Sequence, residues 1–352
     1  MSGTLFKTAP SSDKKTWRFE QFNSREFDMR LMPIGRTGSG KSSVGNTILG
    51  SSAFAVSTGA FGSTTKECGV DMVVRKGKRI RVLDTCGMFD TTRPHEEVYA
   101  EIKKSHLMIT PGPHAFLLVV PVEPFTKEHQ ETVSLLEGIF PGFYSHTILV
   151  FSKADALGDD ARKRDIQLRE NLQSMKELKT LVDKVSGRYV LLDNKEKDAG
   201  LLDDQVHHLL DMVHDLYEAN QQHHYHSDAF RQAEEAATKG QTVIIKEAEI
   251  SNSGAQNTKS ALQHLLSLRV GSDFFRRSIR DASIENASRL AFVKDVEAGR
   301  TKNLLKTLSF TALTSVLPKK QSSTGSVYLP SRTGECVRDS ADLKSSVDLN
   351  NP

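Results

Sequence analysis

The chain has 352 residues, 38% of them hydrophobic and 26% charged, and a formal net charge of +3 at neutral pH. That is room for one medium α/β domain with an extension, or for two domains, and the small charge without a long basic run argues against nucleic acid as a partner. Cys68, Cys86 and Cys336 are odd in number and widely spaced, which excludes a disulfide framework and metal-ligand spacing and favours a reducing compartment.

The apolar run from Ala115 to Val122 is far too short to span a bilayer. Met1-Ser2-Gly3 reads as neither a signal peptide nor a myristoylation site, and Leu349 to Pro352 carries no prenylation box. A cytoplasmic protein is therefore expected.

Residues 1–26 are polar and irregular and read as a tail, with Trp17 and Phe19 as the side chains suited to dock on the domain. Met29 to Ile34 is a short extended run leading into Gly35-Arg36-Thr37-Gly38-Ser39-Gly40-Lys41-Ser42, which has the form G-x-x-x-x-G-K-[ST]. Small residues let successive backbone N–H groups turn inward around a phosphate, and the helix start adds partial positive charge. Lys41 would reach the β- and γ-phosphates and the Ser42 hydroxyl would take one Mg²⁺ position. Ser43 to Leu49 reads as the helix behind this loop, ending at Gly50. A chance match in a chain this long comes up roughly once in a hundred sequences, and the strand-loop-helix context lowers that further.

Ser51 to Thr65 has neither helical nor strand period and is expected to be a mobile loop. Cys68–Arg75 and Arg79–Asp84 form a hairpin around Lys76-Gly77-Lys78. The hairpin ends in Asp84-Thr85-Cys86-Gly87. An Asp at a strand end beside a phosphate loop is where a second Mg²⁺ contact belongs, and a glycine N–H can approach the γ-phosphate closely. Alone, D-x-x-G is a strand-end turn; about forty residues after a phosphate loop it is a nucleotide motif.

Pro111-Gly112-Pro113-His114 turns into Ala115–Val120, a continuous apolar run of the kind buried on both sheet faces. A helix carrying Val133, Leu136 and Phe140 comes next, then the strand Thr147–Phe151, running into Ser152-Lys153-Ala154-Asp155. This tetrapeptide resembles N/T-K-x-D. Asp155 can accept from guanine N1–H and its exocyclic amine together, a donor pair that adenine lacks, while the Lys153 stem lies along the base. An exposed Lys and Asp in a loop is the bland alternative, outweighed by the position after the fifth strand.

A polar helical stretch, roughly residues 161–175, precedes the sixth strand, Arg188–Leu192, which ends at Asp193-Asn194. Val206, Leu209, Leu210, Val213 and Leu216 make one stripe of a closing helix. The order predicts an α/β P-loop fold: a mostly parallel six-stranded sheet with one antiparallel strand, flanked by helices and followed by a helical C-terminal extension.

These pieces resemble the GTPase-of-immunity-associated-protein (GIMAP, or immune-associated nucleotide-binding) family over about residues 28–220. The resemblance is carried by Gly35–Ser42 with Gly45-Asn46-Thr47-Ile48-Leu49-Gly50, by Ser63-Thr64-Thr65-Lys66-Glu67-Cys68, by Asp84–Gly87 and, most specifically, by Pro111-Gly112-Pro113-His114-Ala115. It implies a septin- and dynamin-related GTP-binding domain that dimerises through its nucleotide face. It further implies Mg²⁺ as cofactor, Thr65 as the switch threonine joining the ion, Asn194 beside the base, and a role in immune or stress signalling.

The resemblance thus implies Gly35 to Ser43, Ser152, Lys153, Asp155 and Asn194 on GTP or GDP. Ser42, Thr65 and Asp84 would sit on the metal, with Lys41, Thr65 and Gly87 at the reacting phosphate. Three departures stand out: Pro33 inside the first strand, Asp193 where an Asn is common, and Glu123-Pro124-Phe125-Thr126 where the family usually has Gly-Arg before an aromatic and Thr. An arginine there would be worth roughly 10³–10⁵ in rate in other GTPases. With Met88 in the place that often orients the attacking water, slow hydrolysis is expected, and a non-catalytic GTP-binding scaffold is the competing class. An ATP-using enzyme requires Ser152–Asp155 to be coincidence.

The expected organisation is a tail over 1–26, a GTP-binding domain over 27–222, a helical extension over 223–310 and a disordered tail over 311–352. Leu262, Leu265, Leu266 and Arg269 suggest an amphipathic helix, and 282–310 is helix-like in composition. His223, His224 and His226 lack the cysteine or spaced carboxylate of a metal site and are read as solvated. The sequence names no protein partner.

Overall fold

The computed structural model describes residues 28–56, 68–85, 94–158, 160–251, 284–301 and 308. Strand β1 (Asp28–Ile34) is central because both of its faces are apolar: Met29 and Leu31 point into one buried layer, Met32 and Ile34 into the other. The sheet has six strands in the order β2-β3-β1-β4-β5-β6, with β2 (Gly69–Arg75), β3 (Lys78–Asp84), β4 (Ala115–Pro121), β5 (Thr147–Ser152) and β6 (Tyr189–Leu191). All pairings are parallel except β2–β3, whose register runs from Gly69↔Asp84 to Arg75↔Lys78. Lys76 (φ 48°) and Gly77 (φ 75°) both lie in the left-handed region, as a two-residue hairpin turn matched to strand twist requires.

The chain leaves β1 toward β3 on one side and reaches β4 on the other. This reversal of direction opens a crevice at the C-terminal ends of the strands, the usual ligand position in such sheets. Helix α1 (Lys41–Leu49) and the long α6 (Ala199–Ala219) cover one face through Val44, Ile48, Val206, Leu209, Leu210 and Val213, all fully buried or nearly so. The expected stripe of α6 is thus its core face. The other face carries α2 (His95–Met108), α3 (Lys127–Ile139), α4 (Ala161–Ser174), α5 (Lys176–Lys184), α7 (Asp228–Ser251) and α8 (Ile284–Glu297).

Helix α2 goes beyond the elements expected from sequence, since its buried Val98, Ile102 and Leu107 are interspersed with exposed glutamates and with polar residues that are themselves buried, Lys104, Ser105 and His106. The polar stretch after β5 continues past its expected end, because α5 succeeds α4 across Met175 and buries Leu178 and Leu181. Helix α8 lies within the stretch that composition marks as helix-like, while Leu262, Leu265, Leu266 and Arg269 lie outside the described residues. Trp17, Phe19 and the segment from residue 309 onward also lie outside them.

Pro33 is accommodated because the β1–β3 register ends at Leu31↔Val82, before the proline is reached. Its carbonyl accepts a hydrogen bond from the Thr85 hydroxyl at 2.7 Å. The Pro111–His114 box lies at the opposite end of the sheet from the phosphate loop, just ahead of β4 and beside Arg30 of β1. Arg30 donates from Nε to the Gly112 carbonyl (2.6 Å) and from Nη1 to the Asp28 carbonyl (3.3 Å). The backbone N–H of Arg30 donates to His114 Nδ1 (2.9 Å), and Nη2 stands 3.2 Å from His114 Nε2. With donors facing both ring nitrogens, a protonated ring has nowhere to point its second proton. Burial and Arg30 accordingly hold the His114 pKa well below the ordinary value.

Gly112 is required in this corner: its φ is +152°, and a Cβ there would meet the Tyr225 carbonyl oxygen at 2.2 Å. The histidine trio is correspondingly divided. His223 and His226 are exposed, but His224 is half-buried near His114, with ring centroids 6.2 Å apart.

Candidate nucleotide site

A cavity of about 1130 Å³ opens at the C-terminal ends of the parallel strands. Its floor is the loop between β1 and α1, through Thr37, Gly38, Gly40, Lys41, Ser42 and Ser43. Its far wall is the loop after β5, with Ser152, Lys153 and Asp155, joined by Asp193, Asn194 and Lys195 after β6. Residues more than 150 positions apart in the chain, such as Lys41 and Asn194, therefore face one space.

The other expected residues sit just behind this surface. Gly35 (φ +139°) runs so close to β4 that a Cβ would stand 2.6 Å from the Val119 carbonyl oxygen, which fixes the loop's entry angle. Lys41 Nζ donates to the carbonyls of Gly35 and Arg36, each at 3.0 Å. The Ser39 carbonyl accepts from the Ser152 hydroxyl at 2.6 Å, so the serine opening the base motif pins the phosphate loop. Arg36 turns away from the cavity to Glu123 and Glu128. Thr65 and Gly87, with Cys86 and Met88, lie outside the described residues.

The Ser42 hydroxyl donates to Asp84 Oδ2 at 2.7 Å, while Asp84 Oδ1 is buried without a hydrogen-bond partner. Burial pushes the Asp84 pKa up to about 6, against the lowering effects of the Ser42 hydrogen bond and of Lys41. A buried carboxylate with one unsatisfied oxygen next to a hydroxyl is a hard-oxygen set of the kind Mg²⁺ takes, leaving room for the ion's waters. The residues present therefore fit the ion. Buried Thr37 Oγ1 and Ser39 Oγ likewise lack partners within the fold.

On the base side, Lys153 (φ 56°) adopts a left-handed backbone that aims Asp155 back toward the cavity. Asp155 Oδ2 accepts from Lys195 Nζ at 2.6 Å, and this bond lowers the Asp155 pKa. Asn194 Oδ1 accepts from the Thr47 hydroxyl of α1 at 2.9 Å. Asp193, the departure noted in sequence, has a different use: it is buried, binds Arg164 Nη1 at 2.6 Å, and accepts the Lys195 N–H at 3.0 Å. It thus locks α4 to the loop that carries Asn194.

Sequence reasoning missed Lys195, Arg164 and Glu123. Lys195 carried a weak signal, a cation directly after the expected asparagine; Arg164, one of several charged residues on a largely polar helix, carried none.

The family model described as the AIG1 family matches residues 29–243. The chain belongs to the AIG1 family. This is a family of GTP-binding GTPases of the GIMAP type, so the motif resemblance holds. The AIG1-family match begins inside β1 and ends inside α7, so it takes in every strand of the sheet.

The chain is 30% identical over 211 residues to "Immune-associated nucleotide-binding protein 7" of Arabidopsis thaliana, covering 59% of this chain and 67% of that one. It is 32% identical over 186 residues to "GTPase IMAP family member 8" of Rattus norvegicus, covering 53% of this chain and only 26% of that longer relative. Among solved structures, Toc33 from Arabidopsis thaliana in complex with GDP and Mg²⁺ superposes with a TM-score of 0.41 at 18% identity, over 56% of this chain and 88% of that one. Among the described residues of this AIG1-family chain, no helix is long and apolar enough to cross a membrane.

Proposed function

We propose that this chain is a Mg²⁺-dependent GTP-binding protein that hydrolyses GTP slowly and uses the triphosphate state to dimerise, or to build larger assemblies, through its nucleotide face. The observation that carries the reading is that the phosphate loop, the Ser42–Asp84 pair and the Lys153–Asp155 loop converge on one cavity of about 1130 Å³. In this reading Lys41 exchanges its two carbonyl partners for β- and γ-phosphate oxygens, and the N–H groups of residues 38–43 surround the phosphates. Ser42 and Asp84 would hold Mg²⁺, which supplies charge neutralisation on the phosphates when bound. Asp155 reads guanine, with Lys195 as its partner until the base arrives. Thr65 and Gly87 complete the proposed set at the γ-phosphate.

We assign the nucleotide domain to 27–222, the helical extension to 223–310, and the setting to immune or stress signalling. Slow turnover is supported by Pro124, which is exposed in the loop between β4 and α3 and offers no donor to a partner's nucleotide. The same residue favours a second reading, a nucleotide-controlled scaffold with negligible hydrolysis.

The deciding experiment measures binding of GTP, ATP and xanthosine triphosphate to the wild type and to Asp155→Asn. The substitution should cost at least about tenfold in GTP affinity and turn preference toward xanthosine triphosphate. Equal binding of ATP and GTP, unmoved by Asp155→Asn, would sink guanine recognition. Hydrolysis measured against protein concentration, with mass by light scattering in GDP and in a non-hydrolysable GTP analogue, separates the two readings. A specific rate rising with concentration indicates a dimer-activated GTPase; a flat, near-zero rate with triphosphate-dependent dimers indicates the scaffold.

A further inference from the structure

Glu123 lies in the loop between β4 and α3, and side chains from three separate segments converge on its carboxylate. Oε2 accepts from Lys153 Nζ at 3.3 Å. Oε1 accepts from Arg36 Nη2 at 3.5 Å and faces His129 Nε2 at 3.5 Å. Arg36 belongs to the phosphate loop and Lys153 to the base loop, so one carboxylate bridges the two halves of the cavity wall. Two of these partners, Arg36 and His129, are themselves anchored. Arg36 also binds Glu128 in the first turn of α3. His129 Nδ1 accepts the Thr126 N–H at 3.1 Å, and its ring stacks on Phe125 with centroids 5.2 Å apart. With Nδ1 accepting, the neutral ring carries its proton on Nε2, which lies 3.5 Å from Glu123 without hydrogen-bonding to it.

We infer that Glu123 is a positioning residue for the guanine nucleotide. By holding the Lys153 head, it lays the lysine stem along the cavity wall; through Arg36 it ties that wall to the phosphate loop. This deepens the GTP reading and rests on it. An unheld lysine would spread over many rotamers, and binding would then bear the entropy of selecting one. With Glu123 in place, that selection is made before the nucleotide enters. The competing account is a rim ion pair of no consequence, common for exposed pairs. What separates them is that one carboxylate links Lys153 of the base loop to Arg36 of the phosphate loop, so its loss releases the Lys153 head and cuts the link between the two loops. The Lys153 and Glu123 side chains are 48% and 30% exposed, so the link is open to screening by salt and its effect must fade as salt rises.

The test tracks release of mant-GDP from the full chain, wild type against Glu123→Gln and Glu123→Asp, at about 50 mM and about 500 mM NaCl. Glu123→Gln keeps the shape and removes the charge. Release should quicken about fivefold at low salt, with the difference closing to within about twofold at high salt. The thermal midpoint should stay unchanged, and Glu123→Asp should fall between. In a Lys153→Met background the glutamine substitution should add less than it does alone. Release at the wild-type rate at low salt overturns the inference. So does equal acceleration at both salts with a lowered thermal midpoint, which would mark a merely structural role. Wild-type protein that takes up no mant-GDP overturns the guanine reading itself; binding by the wild type with a silent Glu123→Gln overturns this inference alone.

Discussion

At the C-terminal ends of the central strands, Asp84, Thr37 and Ser39 keep buried oxygens without partners, and Lys41 and Asp155 are held by groups a nucleotide can replace. At the opposite ends, Arg30 and His114 are just as buried, yet they spend their polar atoms on each other and on the Gly112 and Asp28 backbone. Both regions place charged groups in low-dielectric surroundings, where an unsatisfied group is costly. The difference lies in what the unpaired atoms face: those of Thr37, Ser39 and Asp84 flank the cavity, whereas Asp28 Oδ1 and Arg81 Nε and Nη1, also unpaired beside Arg30, are enclosed by the fold. At one end Arg30 and His114 form a latch closed on each other and on Gly112; the cavity set is left for a ligand to close. A sequence box as distinctive as Pro111–His114 therefore marks architecture rather than the nucleotide.

The sharpest way to break this comparison is Gly112→Ala. The new methyl group meets a backbone carbonyl at 2.2 Å in a backbone conformation that L side chains rarely adopt. We expect a loss of about 4 kcal/mol or more in urea unfolding, with nucleotide affinity of the folded fraction unchanged. A tolerated alanine would show that the latch is soft.

Acid should attack the closed end next. His106 is fully buried between Phe230 and Phe140, and burial lowers its pKa to about 4; His114 and His224 are lowered for the same reason. The unfolded chain binds these protons first. Their contribution is therefore fully present above about pH 6.5 and is lost as pH falls toward about 4, at roughly 3 kcal/mol for His106 alone. Denaturant titrations across that range should show it, and His106→Phe should flatten the slope.

Asp84 works in the reverse direction. Its folded pKa of about 6 lies above the ordinary aspartate value of 3.8, so its contribution is present below about pH 4 and is lost as pH rises through 6. Without nucleotide or Mg²⁺, Asp84→Asn should stabilise the protein at pH 7.5 by about 2 kcal/mol and steepen the acid loss. The same variant should lose the Mg²⁺ dependence of nucleotide binding. Destabilisation without nucleotide would mean that Asp84 is already satisfied by the fold.

The sheet, its one antiparallel strand and the stripe of α6 were legible because alternation and helical spacing are local patterns that burial enforces. The Gly35–Ser42 loop and Asp155 stood out because a phosphate and a guanine edge would demand particular residue types at short spacing, and the fold brings both segments to one cavity. Helix α2 was less legible, since its buried Lys104, Ser105 and His106 interrupt the apolar pattern.

Which residues pair across the fold was not readable from the chain. Glu123 with Arg36 and Lys153, Lys195 with Asp155, and Arg164 with Asp193 lie 87, 30, 40 and 29 residues apart. The sequence by itself determined the fold class and singled out short segments that the fold brings to one cavity. Only the tertiary structure decided that Asp193 is a brace, that His114 belongs to a latch, and that Glu123 joins the two cavity walls. The physical reason is reach: a hydrophobic period or a glycine turn acts within a few residues, while a carboxylate chooses its partner only after strands distant in sequence have been laid side by side.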